Sequence, residues 1–457
     1  MENNISTKKA LAEGAFSTSI ASFALRGVGF LTSVILLKEL SLYQFGVMEL
    51  TSSIFSFLGI FLLPGINNVA ISEVSYELGV GNKNKARAIV KNYFKLQYVF
   101  VFIAWAIFFF GANIIGRYYN LEISNSLKII SFIFLLSPIR SFLNLIYLSN
   151  FKFLLKNIYG VMEDAVKLVI IFFIFFILRS IRVDNVFFST VTSQIISFFI
   201  MIPSAYRIWR QNFGSGSYEK IPLFSMILKN GKWGILSTYM NNFGQNIRLW
   251  IIKFTLGIEA VGLFSFAFTL FGHTMSLVAI SNVLNPIFSK LKSDTVKFMK
   301  LIDKSIKYQF IAYLALLIIA LTTFPTIIDY FFPKYHDSLF LFKILMISII
   351  PASFANIFTP LFYSLNAQKS LFNSIMIKNF FIAFFSIIFI HLFGIVGVAI
   401  EYLATVTVYS FERYLKLKKI IPNFSISIRN LFRIDIHDRV ILDSILRKFK
   451  FLSKNPN

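Results

Sequence analysis

The chain of 457 residues contains no cysteine. Disulfides, thiolate-held zinc and thiol nucleophiles are therefore excluded. Charge is also scarce, at 14% of residues, against about a quarter in an ordinary soluble domain. Acidic groups are the rarest: 21 Asp and Glu together, against 57 Phe. The histidines His273, His336, His391 and His437 are scattered, and none has a second ligand at metal spacing. Neither a G-x-x-x-x-G-K-[ST] phosphate loop nor a G-x-S-x-G nucleophile turn occurs. These absences point to a chain without metal, cofactor or catalytic centre. What is abundant is apolar surface: 56% hydrophobic residues and a mean hydropathy of +0.71. A water-soluble fold would leave large sticky patches, so the composition specifies an all-α polytopic membrane protein.

Twelve apolar runs have the length of a span: 14–37, 44–66, 94–116, 127–148, 160–179, 185–206, 233–254, 261–284, 309–331, 339–364, 373–393 and 394–412. Lys8, Lys9 and Glu13 precede the first, and no small-residue cleavage site follows it, so it reads as an uncleaved helix. The net charge is +24. The cations form no basic domain of their own, which disfavours nucleic acid as a partner and favours an anionic lipid face. Alternate connections hold 33 of the 45 Lys and Arg, and the opposite ones hold eight. By the positive-inside bias both termini are cytoplasmic. The external connections are too short to fold into a catalytic domain. Gly214-Ser215-Gly216-Ser217 marks a flexible linker. The expected division is a six-helix bundle over 1–206, a linker over 207–232, a second bundle over 233–412 and a basic tail over 413–457. Leu431, Phe432, Ile441, Ile445 and Phe449 give that tail the spacing of a helix lying on a membrane; a solvated tail is the other reading.

The halves repeat. Leu36-Leu37-Lys38 and Phe45-Gly46-Val47 return as Ile251-Ile252-Lys253 and Val261-Gly262-Leu263, 215 to 216 residues later. Lys95-Leu96-Gln97-Tyr98 returns as Lys307-Tyr308-Gln309-Phe310 at an offset of 212. Ser141-Phe142-Leu143-Asn144 returns as Ser353-Phe354-Ala355-Asn356, also at 212, with Pro138 and Pro351 just before them. Lys167 and Lys378 open spans five and eleven. An even number of spans separates the copies, so both insert the same way, as a parallel repeat about an axis along the membrane normal. Paired bundles of this kind point to transport by alternating access.

The segment Leu37-Lys38-Glu39-Leu40-Ser41-Leu42-Tyr43-Gln44-Phe45-Gly46 resembles the turn that opens polysaccharide flippases of the Wzx type. The turn Leu63-Pro64-Gly65-Ile66-Asn67-Asn68 and the basic segment Gly81-Asn82-Lys83-Asn84-Lys85-Ala86-Arg87 fit the same family, as do the span count and spacing. That family lies within the larger group that includes MATE-type multidrug exporters and the lipid II flippase. The resemblance implies two bundles in a V around a cavity open to the side. It also implies a substrate: a polyprenyl-diphosphate-linked oligosaccharide, such as an O-antigen or capsule repeat unit, whose head is held by cavity cations. Other membrane proteins of polysaccharide assembly are the expected protein partners.

Charges inside the spans are the candidate site. An ionisable group at mid-bilayer costs a few kcal/mol on insertion scales, so it faces a cavity or a partner. Arg26, Arg140, Arg248 and Lys167 are the candidate substrate-binding cations. Arginine suits a diphosphate because its planar fork makes paired, charge-assisted hydrogen bonds at any physiological pH. Asn67, Asn68, Asn241, Asn242, Gln245 and Tyr239 offer polar lining for sugar. Glu49, Glu163, Asp164 and Glu401 are the candidates for coupling to an ion gradient, with pairing to a nearby cation as the alternative for each. Glu163, four residues before Lys167, is a ready partner for it. Two rivals remain at this stage. A drug or cation antiporter on the same scaffold calls for an anionic cavity. A membrane enzyme such as an O-antigen polymerase calls for a large external loop, which the spacing does not provide.

Overall fold

Ser41 fixes the first sharp reversal. Its hydroxyl accepts from the Gln44 backbone N–H, and the Gln44 side chain accepts from the Ser41 backbone N–H, both at 3.1 Å. This reciprocal cap starts a new helix two residues after the previous one ends. The computed structural model describes residue 24 and residues 27–59, 64–119, 121–150, 152–213, 232–278, 284, 288, 295–365, 367–421 and 424–432. Among these there is helix and no strand.

The first half comprises α1 (27–39), α2 (Leu42–Leu58), α3 (Pro64–Gly79), α4 (Lys83–Tyr119), α5 (Leu121–Ser149), α6 (Phe153–Leu178) and α7 (Val183–Asn212). The second comprises α8 (Lys232–Leu256), α9 (Ile258–Ser276), α10 (Thr295–Phe331), α11 (Ser338–Ile347), α12 (Ile349–Ser364), α13 (Gln368–Phe393) and α14 (Ile395–Ile420), with α15 (Ile428–Phe432) packed against α10. Seven of these helices (α4, α5, α7, α9, α10, α13 and α14) have the length and hydropathy to cross a membrane. The pair α11 and α12, bent by 50° at Ser348, adds an eighth. The chain is thus an all-α polytopic membrane protein. Large apolar side chains such as Phe172, Phe173, Phe176, Phe380 and Ile387 stand exposed on the bundle surface, where a lipid-facing belt requires them.

The repeat reappears in the helix bounds. Both ends of α10 lie 212 residues after those of α4, and α14 begins 212 after α7. Both ends of α13 lie 215 after those of α6, so Lys378 aligns by helix position with Glu163 rather than with Lys167. The two halves meet through a near-symmetric contact. A Cβ on Gly46 of α2 would collide with the Ile258 carbonyl of α9, and one on Gly262 of α9 would collide with the Leu42 carbonyl of α2. Only glycine allows backbones this close. Beside this seam Tyr335, fully buried, stacks on Phe266 at 4.2 Å and meets Phe45 edge-on at 6.1 Å. The Lys334 ammonium crosses between the halves to the Lys38 and Leu40 carbonyls at the end of α1, at 2.8 and 2.5 Å.

The described core is distributed unevenly. Around the seam, residues from both halves form one continuous apolar cluster. Toward the side that carries the basic connections the core splits in two: one cluster around Tyr93, Tyr147 and Phe198 in the first half, another around Phe298, Phe358 and Leu417 in the second. The bundles are joined at one end and separately packed at the other, the V-shaped arrangement anticipated above.

Candidate functional site

Helix α14 builds the most polar interior surface. Glu401, Thr405, Tyr409 and Arg413 recur at intervals of four, so they stack along one face. With residues of α8, α9, α12 and α13, Thr405, Tyr409 and Arg413 of that face line a cavity of about 400 Å³ inside the second half. Arg248 of α8 enters from one wall, and Lys378 of α13 from another.

Arg248 and Glu401 are locked together. The guanidinium donates to both carboxylate oxygens, Nε at 2.6 Å and Nη2 at 3.1 Å. Thr405 donates to the same carboxylate at 2.8 Å, and the Tyr402 ring lies 5.0 Å from the Arg248 guanidinium carbon. Glu401 is fully buried and Arg248 nearly so. Neither charge is tolerable there alone; the fork-to-fork geometry and the threonine bond make the pair viable.

Lys378 and Arg413 are held differently. Lys378 donates to the Asn241 side-chain oxygen at 2.7 Å. Arg413, 2% exposed, donates to the Ala355 carbonyl at 3.1 Å and to the Thr359 hydroxyl at 2.6 Å. Its Nε is buried with no hydrogen-bond partner. The Tyr409 ring stands beside both cations, 3.9 Å from the Arg413 guanidinium carbon and 5.6 Å from the Lys378 ammonium. Among the described residues no carboxylate forms an ion pair with either. The cavity lining thus carries three cations, Arg248, Lys378 and Arg413, and no carboxylate among the described residues; Glu401 is buried behind Arg248.

The first half gathers a second group of charges. Arg140 of α5, two residues past Pro138, pairs with Glu163 of α6 at 3.3 Å. The Arg140 side chain remains 45% exposed, while that of Glu163 is 9% exposed. Lys167, one turn on from Glu163, is within electrostatic range of Asp164, Glu163 and Glu49 of α2. The structure therefore brings Glu49, Glu163, Asp164, Lys167 and Arg140 into one neighbourhood and Arg248 with Glu401 into another. Arg26, Gly214–Ser217 and the tail beyond residue 432 lie outside the described residues. Of the polar residues proposed to meet sugar, Asn241 and Gln245 line the cavity. Lys378, Tyr409 and Arg413 were missed. Sequence hydropathy ended the last span at 412 and left Arg413 to the tail, Lys378 was read only as the residue that opens span eleven, and the four-residue stripe on α14 was the signal that would have recovered Tyr409 and Arg413.

This two-bundle fold is that of the MOP-superfamily transporters. An inward-facing multidrug resistance MATE transporter aligns with a TM-score of 0.72 and 13% identity, over 89% of this chain and 99% of its own. A MOP-superfamily transporter from Pyrococcus furiosus, described as having a binding pocket of reverse polarity, aligns with a TM-score of 0.65 and 14% identity, over 88% and 95%. The lipid II flippase MurJ, in an inward closed conformation, aligns with a TM-score of 0.62 and 17% identity, over 94% and 92%. No curated protein gives a significant match to the sequence. The family model described as polysaccharide biosynthesis protein matches residues 11–292, more than half of the sequence, and the chain belongs to that family.

Proposed function

We propose that the protein is a non-enzymatic flippase. It takes an undecaprenyl-diphosphate-linked oligosaccharide repeat unit, of O-antigen or another surface polysaccharide, from the inner leaflet of the bacterial cytoplasmic membrane and releases it on the outer leaflet. The cationic excess of the buried cavity carries this reading. A diphosphate brings at least two negative charges that hydrocarbon does not solvate, and fixed guanidinium and ammonium groups replace water for it. Asn241 and Gln245 add the neutral donors and acceptors that sugar hydroxyls need. Family membership and the MurJ-like fold support the same substrate class. Arg140 and Lys167 serve the head from the first half, with Arg26 as the remaining cation of that set. Arg248 acts from its pair with Glu401, and Glu49, Glu163, Asp164 and Glu401 are the groups available to couple transport to an ion gradient. Twelve spans arranged as bundles 1–206 and 233–412 about the linker 207–232, with both termini cytoplasmic, rock about the glycine seam.

A drug-cation antiporter on the same scaffold would drive its substrate into a cavity of the same sign. Deletion of the coding sequence separates the readings. The expected result is loss of long surface polysaccharide with inward-facing lipid-linked units accumulating. Normal polysaccharide with increased sensitivity to cationic dyes would overturn the flippase reading.

A further inference from the structure

Arg248 is the cation of the second half most visible in the sequence, yet the Nε–Nη2 edge of its guanidinium is already bound by Glu401. An incoming phosphate that takes the same edge must displace a carboxylate that is fully buried and further held by Thr405, and one that does not meets a charge already neutralised. Lys378 and Arg413 present the opposite situation. They share one aromatic ring, they are held by neutral oxygens, and the buried Nε of Arg413 has no partner. Two cations set beside one ring in a low-dielectric cavity, neither in an ion pair among the described residues, repel each other and are poorly solvated. An anion with several oxygens relieves both costs at once, by accepting from the ammonium and from the free guanidinium N–H.

Position favours the same pair. On α14, Arg413 lies twelve residues beyond Glu401, which at 1.5 Å per residue is about 18 Å closer to the end with the split core. A head entering from that end reaches Arg413 and Lys378 before it reaches Arg248. We infer that Lys378 and Arg413, with the Tyr409 ring between them, form the phosphate-binding site of the second half, and that the Arg248–Glu401 pair closes the cavity beyond it. The proposal rests on the flippase reading for its lipid source, a prenyl diphosphate; the phosphate chemistry itself rests on these residues.

The test is calorimetric titration of the full-length protein in detergent with two probes, inorganic pyrophosphate and farnesyl diphosphate. Wild type is expected to bind both. Lys378→Gln is expected to weaken both by tenfold or more, and Arg413→Lys by threefold or more. Lys343→Gln, at an exposed position of α11 outside the cavity lining, is expected to stay within twofold. If Arg413→Lys elutes aggregated, Lys378→Gln decides alone. Binding of both probes unchanged by these substitutions overturns this site and leaves the flippase reading standing. Binding of pyrophosphate without farnesyl diphosphate, lost in Lys378→Gln, upholds the site and overturns the lipid source. Absence of binding by wild type to either probe overturns the site.

Discussion

Helices α7 and α14 occupy equivalent places in the two halves, and they have been filled in opposite ways. At an offset of 212 residues, Glu401, Thr405, Tyr409 and Arg413 of α14 stand where α7 has Ser189, Ser193, Ser197 and Met201. The three α7 hydroxyls are buried, and two of them turn back on their own helix: Ser189 donates to the Asn185 carbonyl at 2.6 Å and Ser193 to that of Thr190 at 2.9 Å. Small side chains let neighbours pack close in a membrane bundle, and Tyr159 and Phe198 stack at 6.1 Å in the space beside them. The α14 set cannot be closed over in this way, because its charges need partners. It keeps a cavity open. One scaffold used twice thus yields a bundle whose interior is packed at this helix and one whose interior is polar and hollow. A repeat fixes helix placement; the side chains on one stripe decide which copy holds a site.

The largest way to break this contrast is to remove one member of the buried pair. Glu401→Leu strands Arg248 and should destabilise the protein by about 3–5 kcal/mol. Glu401→Leu with Arg248→Met should recover most of that loss, while Arg140→Gln, whose side chain is half exposed, should stay within about 1 kcal/mol. Thermal unfolding in detergent measures all three. A single substitution as mild as the double would show that the pair is not clamped.

The seam between the halves gives the next effect. Gly46→Val places a branched side chain against the Ile258 carbonyl and should weaken the closed contact by about 1–3 kcal/mol, the usual range for overpacking. Because the natural chain has no cysteine, paired cysteines at Lys38 and Lys334 report closure without background. Their cross-linking yield should fall in the Gly46→Val protein. An unchanged yield would mean that the halves meet elsewhere.

The smallest effect is at Lys334. Lys334→Met removes two hydrogen bonds to the exposed carbonyl end of α1 and should cost about 0.5–1.5 kcal/mol of closure. Cross-linking between cysteines at Leu42 and Ile258 should drop slightly in this variant. A drop as large as that in Gly46→Val would make the lysine, rather than the glycine contact, the main fastening.

Much of this architecture is legible in the sequence because lipid imposes long apolar runs and duplication imposes a repeat distance. The glycines of the seam already stood out as Phe45-Gly46-Val47 and Val261-Gly262-Leu263, although nothing in the pattern alone said that they touch. Arg248 and Glu401 were each visible as a charge in an apolar run, but their pairing spans 153 residues and depends on how α8 and α14 pack. The failure at Arg413 has one cause. Hydropathy ends a span where cations begin, yet α14 continues as helix to Ile420 and draws Arg413 inside the bundle. Long basic side chains at a span end read as connection in the sequence whether they face water or a cavity. Lys378 was placed inside span eleven but read only as part of the repeat.

The central claim is that a cationic cavity carries a diphosphate head across the membrane. Its most direct test is translocation in reconstituted vesicles of a polyprenyl-diphosphate-linked oligosaccharide loaded in one leaflet, read by its exposure to a sugar-binding protein that does not cross the bilayer. With wild-type protein the exposed fraction should rise well above that of protein-free vesicles, and with Lys378→Gln it should fall back toward them. Equal exposure with and without the wild-type protein, under an imposed ion gradient of either direction, would contradict the account.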